Sequence, residues 1–276
     1  MITAPIAYLA AYESSPEIRV YPPASGRPSE RPVNIHYEMP VEDVRGRIPA
    51  PAIDVEGFAL HPYPTSCSDF YDEVRVKREY YPESAAAMRT FTGALEVFIF
   101  DHNVRSAVRA ARGQQGVREP VDAAHVDYTA ETGPGRTLEL LEKFGRGDLA
   151  GKRAALINLW RPITEPVMDV PLALCDVRSV KHNELIETVI LHYTEDSMAE
   201  PGHVGRIYSL HFSPNHRWAY VSAMQTDEVL LLKCYDSRGD GCSGFTPHTG
   251  FRNPACPPAY IPRESIEVRA LVIYAE

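Results

Sequence analysis

Short apolar runs separated by turn residues dominate the chain from residue 153 onwards. Several short strands at regular spacing favour a sandwich or barrel over a parallel sheet with crossover helices. The pattern therefore predicts a mainly β fold. The runs that predict strands are RAALINLWRPI, PLALCDV, ELIETVILHY, GRIYSLHF, RWAYVSAM, DEVLLLKCYDS and IEVRALVIY.

The chain before residue 153 mixes strand and helix patterns. VNIHYEM (33–39) and the apolar, β-branched ALEVFIFDHNV (94–104) predict strands. Residues 68–90 predict helix, and Pro82 is expected to break that helix in two. TLELLEKFG (137–145) predicts a short helix that ends near its glycine.

The length of 276 residues is compatible with one β-rich domain. The first 50 residues are rich in Pro, Arg and Glu. We predict that residues 1–60 form an arm packed on the core of a single domain spanning residues 1–276.

Charge and composition exclude several classes of protein. A net charge of −9 argues against a nucleic-acid or anionic-membrane surface, because phosphate groups attract a basic protein surface. No apolar run approaches the ~20 residues of a membrane helix, and the first residues do not resemble a signal peptide. The five cysteines are scattered and form no CxxC pair, which predicts a reducing, cytoplasmic location. No GxGxxG or P-loop pattern is present, so a nucleotide cofactor is not indicated.

The strongest chemical signal is H-V-D at 125–127. Two histidines and one carboxylate on one face of an iron leave positions open for O₂ and a co-substrate, as in non-haem iron oxygenases. On extended backbone, side chains two residues apart point to the same side. His125 and Asp127 can therefore bind one metal, with a third ligand supplied by a distant strand.

Spacing alone does not identify the metal pair, since chance gives roughly one His-x-acid pair in such a sequence. Three occur: His36/Glu38, His125/Asp127 and His182/Glu184. The first lies in the N-terminal arm, and the third lies in a polar stretch typical of a hairpin connection. Only the pair at 125–127 precedes the whole run of strands and also has further candidate binding residues near the C-terminus. The first of these residues is His248, which follows a glycine-rich turn from 238 to 244.

The strand after His248 carries charge on one face. Ile266, Val268, Ala270 and Val272 share one parity, and the opposite parity holds Arg263, Ser265, Glu267 and Arg269. An edge strand with a solvated charged face is one interpretation. The other is a binding site for a dicarboxylic acid, because a guanidinium grips a carboxylate with two hydrogen bonds.

Four blocks of sequence resemble the CmcJ/AsaB-type oxidoreductases of fungal and bacterial secondary metabolism. They are HVDYT (125–129), INLWRPI (157–163), DEVLLLKCYDS (227–237) and PRESIEVRALVIY (262–274). This group is similar to the fungal gibberellin desaturases and to the iron-dependent endoperoxide-forming enzymes of meroterpenoid pathways. The resemblance covers roughly residues 95–276, and the order of the blocks is preserved.

The resemblance implies a double-stranded β-helix (jelly-roll) core with flanking α-helices. It also implies Fe(II) as the cofactor and 2-oxoglutarate and O₂ as co-substrates. By motif match, the iron ligands are His125, Asp127 and His248. The expected activity is hydroxylation, desaturation or cyclisation of a small-molecule secondary metabolite.

Arg263 and Ser265 match the R-x-S motif that binds the distal carboxylate of 2-oxoglutarate in related oxygenases. The gap of 15 residues after His248 is longer than usual, so Arg269 is a rival. Tyr128 and Arg161 are candidates for substrate contact, although a structural salt bridge explains Arg161 equally well. The alternatives are an iron oxidase that does not use 2-oxoglutarate and an accessory substrate-binding partner of a methyltransferase. A homodimer or a pathway-enzyme partner is also compatible with the expected oxygenase.

Overall fold

Two β-sheets form the frame of the molecule. The computed structural model describes residues 1–12, 15–164, 166–239 and 244–275. The strands are β1 (Ile2–Leu9), β2 (Glu17–Val20), β3 (Asn34–Asp43), β4 (Phe58–Pro62), β5 (Glu96–Ser106), β6 (Val117–Arg118), β7 (His125–Val126), β8 (Ala154–Pro162), β9 (Leu172–Cys175), β10 (Leu185–His192), β11 (His203–Leu210), β12 (Trp218–Tyr220), β13 (Glu228–Asp236), β14 (His248–Gly250) and β15 (Glu264–Ile273). Over the described residues the larger sheet has the order β1-β3-β12-β9-β14-β7-β11-β10-β2, and the smaller has β4-β13-β8-β15-β5-β6.

The two sheets pack face to face around an apolar layer. Leu156 and Trp160 of β8 belong to this layer, together with Leu172 and Leu174 of β9. Because successive side chains of a strand point to opposite faces, Ile157 and Leu159 of β8 face the outer side of the small sheet. Both faces of β8 are thus apolar and buried, which is why its sequence reads as a continuous hydrophobic run.

Helices cover the outer side of the small sheet and one end of the sandwich. They are α1 (Glu73–Arg75), α2 (Tyr81–Thr92), α3 (Ala107–Ala111) and α4 (Thr132–Lys143), with a π-helical turn at Val76–Tyr80 between α1 and α2. The predicted break at Pro82 is wrong, because helical segments follow one another without a gap from Glu73 to Thr92. Pro82 lies in the first turn of α2, where a missing N–H is tolerated, directly after the wider π turn.

The larger sheet curls until its first strand approaches β7 and β11. The Ala124 N–H, beside β7, donates a 2.8 Å hydrogen bond to the Ala7 carbonyl of β1, and Leu9 forms a bridge with His211. An apolar cluster that includes Ile6, Tyr8, Val126 and Trp218 fills the curl. These contacts hold β7, the strand that carries His125, in position.

The first 60 residues, predicted to be an arm, are hydrogen-bonded into both sheets. They supply β1, β2 and β3 of the larger sheet. Phe58 begins β4, which pairs antiparallel with β13 of the smaller sheet. This region therefore contributes sheet edges, and it does not lie only on the surface of a preformed core.

The predicted fold class is confirmed. Each of the seven strand runs after residue 153 contains a strand, and the strand predictions at 33–39 and 94–104 correspond to β3 and β5. The helix predicted at 137–145 begins earlier, at Thr132, and the left-handed Gly145 follows its end. Among the described residues, none of the helices has the length and apolar character needed to span a bilayer.

Candidate metal centre

His125 and His248 are cross-strand neighbours in the larger sheet. They form the paired residues of the antiparallel strands β7 and β14, and their ring centroids are 4.5 Å apart. Asp127 directly follows β7, and its Oδ1 is 3.5 Å from Nε2 of His125. Ligand atoms of the three residues all lie within 4.8 Å of one another. The sheet therefore brings together two imidazoles and a carboxylate that could hold one metal ion.

Backbone carbonyls orient both imidazoles in the same way. Nδ1 of His125 donates to the Ala123 carbonyl at 2.8 Å, and Nδ1 of His248 donates to the Thr246 carbonyl at 3.0 Å. A carbonyl can only accept, so the proton is on Nδ1 and the Nε2 lone pair is free for a metal. Such second contacts fix the tautomer and direction of metal-binding histidines.

Asn158 of β8 holds the carboxylate. Its Nδ2 donates to Oδ2 of Asp127 at 2.8 Å, while Oδ1 faces His125. The buried Cys234 thiol also lies 3.9 Å from Oδ2. One carboxylate oxygen is thus engaged by the small sheet, and the other is presented to the histidines.

Burial and neighbouring charge prepare the protonation states that a metal needs. Burial opposes ionisation of Asp127, but the hydrogen bond with His125 and the charge of His248 hold the pKa of this carboxyl well below its usual range. Burial, with repulsion from a protonated His125, lowers the pKa of His248 to about 4. At neutral pH these shifts favour an ionised Asp127 and a neutral His248, the forms that bind metal.

The three residues line a small cavity between the sheets. Apolar groups on its wall include Val121, Trp160 and Leu172. The charged residues of the wall, apart from the triad, are Arg105, Glu267, Arg263 and Arg269. The cavity therefore combines a possible metal site with an unusual concentration of guanidinium groups.

The charged face of β15 points into the sandwich. This strand lies between β8 and β5, so it is central in the small sheet, and the interpretation as a solvated edge strand is wrong. The opposite parity packs outward against α2 and its neighbours through Ile266, Val268, Ala270 and Val272.

Arg263 and Ser265 are both buried and incompletely satisfied. Arg263 Nη1 donates to the Val170 carbonyl at 2.7 Å, and its guanidinium lies 5.2 Å from the centre of the Trp160 ring. Among the described residues, Nε of Arg263 and the hydroxyl of Ser265 have no hydrogen-bond partner. Burial and the nearby charge of Arg105 lower the pKa of Arg263 to about 10. Both side chains therefore have capacity for a ligand.

Arg269 is closer to protein carboxylates. Its Nη2 is 3.6 Å from Oδ2 of Asp101. Burial opposes its charge, but Asp127, Glu267 and Asp101 raise the pKa of Arg269. This arginine also lines the cavity, and its charge supports ionisation of the triad carboxylate.

Arg161 and Tyr128 do not line this cavity. Arg161 points to the opposite face of β8 from Trp160 and donates to the carbonyls of Tyr63 and Thr226 and to the Tyr80 hydroxyl. The predicted substrate contact is therefore corrected to a structural role, and the partners are neutral oxygens. Tyr128 is half-buried against the apolar layer between the sheets, and burial raises the pKa of its hydroxyl to about 12.

The two other His-x-acid pairs have structural partners. The exposed His36 lies 3.2 Å from Asp122 on the outer surface. Glu184 lies 3.0 Å from the buried His216, and His182 is exposed. Part of the glycine-rich turn predicted before His248, residues 240–243, lies outside the described residues.

Sequence reasoning missed Asn158 and Arg105. Asn158 was detectable as a polar residue inside the apolar run INLW, a position that demands a buried partner. Arg105 lies at the end of β5 in a segment without any motif, so only the pairing of β5 with β15 reveals that it reaches the cavity.

A family model described as an oxidoreductase/YMDC permease-like domain matches residues 6–273. The chain belongs to this family. Among its relatives is the hydroxylase/desaturase efuI of Hormonema carpetanum, 33% identical over 255 residues that cover 86% of this chain and 83% of the relative. Another member is the alpha-ketoglutarate-dependent dioxygenase phiK of a fungal species, 31% identical over 230 residues that cover 80% and 79% of the two chains.

A solved structure of the same type is the iron and alpha-ketoglutarate-dependent endoperoxidase NvfI. It superimposes with a TM-score of 0.84 at 25% identity, covering 100% of this chain and 98% of that chain. The predicted family and its jelly-roll fold are thereby confirmed. The name of phiK states a dependence on alpha-ketoglutarate, and the name of NvfI states a dependence on iron and alpha-ketoglutarate. Both agree with the chemistry that the sequence resemblance implies.

Proposed function

We propose that this family member is an Fe(II)/2-oxoglutarate-dependent dioxygenase that oxidises a small-molecule secondary metabolite by hydroxylation, desaturation or cyclisation. One observation carries the proposal: a His-Asp-His cluster opens into a cavity that also contains guanidinium groups. The metal donors suit ferrous iron, and the guanidiniums suit a dicarboxylate. The named relatives support the same chemistry.

We assign His125, Asp127 and His248 as the iron ligands. The fit rests on the donor set, since two neutral imidazoles and one carboxylate are the ligands of non-haem iron oxygenases. Both Nε2 atoms are freed by hydrogen bonds at Nδ1, and ligand atoms of all three residues lie within 4.8 Å of one another. Iron(II) bound by these atoms would supply the activation of O₂ for oxidation of a C–H bond.

We assign Arg263, with Ser265, to the distal carboxylate of 2-oxoglutarate. Arg263 is 4% exposed, its Nε lacks a partner among the described residues, and no carboxylate lies in salt-bridge range of its guanidinium there. Leaving a buried polar group unsatisfied costs about 1–3 kcal/mol, so a ligand carboxylate is a strong complement. Nε of Arg269 also lacks a partner among the described residues, but Nη2 of Arg269 already has Oδ2 of Asp101 within 3.6 Å.

The remaining wall of the cavity serves substrate and excludes water. Trp160, Val121 and Leu172 present apolar surface next to the cluster, which favours an organic substrate held close to the metal. Excluding bulk water also protects a reactive centre from side reactions. A cytoplasmic location and a homodimer or pathway-enzyme partner stay predictions.

The test is an anaerobic titration of the metal-free protein with Fe(II) and 2-oxoglutarate, followed by visible absorption. A metal-to-ligand charge-transfer band is expected in the wild type and is expected to vanish in His125→Ala and His248→Ala. His182→Ala is the matched control, since this exposed histidine lies in another His-x-acid pair. Survival of the band in both ligand variants would overturn the assignment.

The same preparation separates the alternatives. An iron oxidase that does not use 2-oxoglutarate would bind Fe(II) without developing the band. An accessory partner of a methyltransferase would need no metal, and Fe(II) affinity would then be unaffected by either histidine substitution.

A further inference from the structure

Three guanidinium groups line the cavity, yet the distal carboxylate of one co-substrate needs only one of them. Arg263 is assigned to the co-substrate, and Arg269 lies beside the protein carboxylate Asp101. Arg105 remains. Its Nη1 donates to the Glu119 carbonyl at 2.7 Å, and within the described part of the chain it has no carboxylate within 4.0 Å. A guanidinium has five N–H donors, so most of its hydrogen-bonding capacity is unused.

Arg105 lies where the small sheet meets solvent. On one side its register partner is Arg118 of β6, the edge strand as far as the described residues go. On the other side its partner is Ser265 of β15. Arg118 is exposed, Arg105 is half-buried and Arg263 is buried. The three arginines thus form a series that leads from the surface to the inside of the cavity, although the protein as a whole has a net charge of −9.

Arg105 lines the same cavity as the metal cluster formed by His125, Asp127 and His248. Burial and repulsion from Arg118 and Arg269 lower the pKa of Arg105 itself, only partly offset by Glu267 and Asp127. A bound anion beside Arg105 would offset the free-energy cost of keeping this guanidinium charged next to the metal cluster.

We propose that Arg105 binds a carboxylate group of the organic substrate, so that the enzyme selects acidic substrates over their neutral counterparts. This inference rests on the proposed function, because it takes Arg263 to be the residue that holds 2-oxoglutarate. One charge-assisted hydrogen bond to a carboxylate corresponds to about tenfold to a hundredfold in affinity. A carboxylate at Arg105 fixes one end of the substrate and leaves its apolar body against Trp160 and Leu172.

The test uses two pairs of probes, 3-phenylpropionate with 3-phenylpropionamide and octanoate with octanamide. Each is titrated anaerobically into the complex of the protein with Fe(II) and 2-oxoglutarate, and the shift of the charge-transfer band gives its dissociation constant. The wild type is expected to bind at least one acid about tenfold or more tightly than its amide. Arg105→Gln is expected to lose this preference, and Arg105→Lys is expected to retain part of it.

Arg89→Gln is the control for loss of one positive charge, since Arg89 is exposed on α2. Affinity for 2-oxoglutarate, measured by the growth of the band, is expected to be unchanged in Arg105→Gln and weakened in Arg263→Gln. Equal affinity of the wild type for acids and amides would overturn the inference. A loss of 2-oxoglutarate affinity in Arg105→Gln would also overturn it, by moving Arg105 to the co-substrate. Absence of the charge-transfer band in the wild type would instead contradict the proposed function itself.

Discussion

His125 and His248 face each other across two antiparallel strands, although 123 positions separate them in the sequence. Each ring is held by the carbonyl two residues before it in the chain, just ahead of its strand. The strand ladder sets the distance between the rings, and the two carbonyls set their direction. Metal binding therefore requires little rearrangement of these side chains, which reduces the entropic cost of assembling the site.

Asn158→Ala is expected to weaken Fe(II) binding by about tenfold to a hundredfold, because the Asn158 amide holds the Oδ2 atom of Asp127. Without it, the carboxylate loses a partner that fixes its orientation. Anaerobic calorimetry with Fe(II) measures the effect, and Asn183→Ala, at an exposed position, is the control. Equal Fe(II) affinity in Asn158→Ala and the wild type would contradict the role given to this residue.

The two arginines of β15 are expected to respond differently to substitution. Arg263→Gln should weaken 2-oxoglutarate binding by about tenfold to a hundredfold, because its guanidinium lacks a carboxylate partner in the described structure. Arg269→Gln should leave 2-oxoglutarate affinity close to that of the wild type, since Arg269 lies beside Asp101. Titration of each Fe(II)-loaded variant with 2-oxoglutarate measures both effects. The reverse result would assign the distal carboxylate to Arg269.

Local pattern predicted the strands well, because period-two and continuous apolar runs reflect burial that each strand experiences by itself. The same reasoning predicted that Arg263, Glu267 and Arg269 share a face. It could not decide whether β15 is an edge or a central strand, since that depends on its neighbours β5 and β8. Pro82 was misjudged because a π turn just before it accommodates the ring.

The side-chain directions of β8 show a second limit of prediction from sequence. INLWRPI is apolar on both faces, so the sequence alone does not say which parity meets the cavity. Trp160 and Asn158 point to the site, and Arg161 points to the other side. Arg105 reaches the cavity only through the pairing of β5 with β15, a long-range relationship that no local motif encodes.

Stability of the metal-free protein is expected to fall as the pH decreases from about 6.5 to about 4. Burial and repulsion from His125 lower the pKa of His248 from 6.5 to about 4 in the folded chain. Between these values the unfolded chain binds the proton and the folded chain does not, so acid favours unfolding by up to roughly 3 kcal/mol. Urea unfolding of chelator-treated protein across this range measures the slope.

His248→Gln should remove this contribution, and His182→Gln, at an exposed position, should retain it. The comparison is made as a difference between variants, because other buried histidines such as His216 also have a lowered pKa. An identical pH slope in His248→Gln and the wild type would show that this imidazole is not responsible.

Two glycines in the first turn of α4 provide a matched pair with opposite expectations. A Cβ at the buried Gly133 would overlap the ring of Tyr235, whereas a Cβ at the exposed Gly135 would meet nothing within 4 Å. Gly133→Ala should therefore destabilise the protein by about 1–3 kcal/mol through overpacking, despite the better helix propensity of alanine. Gly135→Ala should stabilise the protein by up to about 1 kcal/mol, because alanine reduces the conformational entropy of the unfolded chain and creates no clash in the folded one. Urea unfolding of both variants at neutral pH tests the pair, and a shift of the same sign in both would mean that contact between α4 and Tyr235 does not control this helix end.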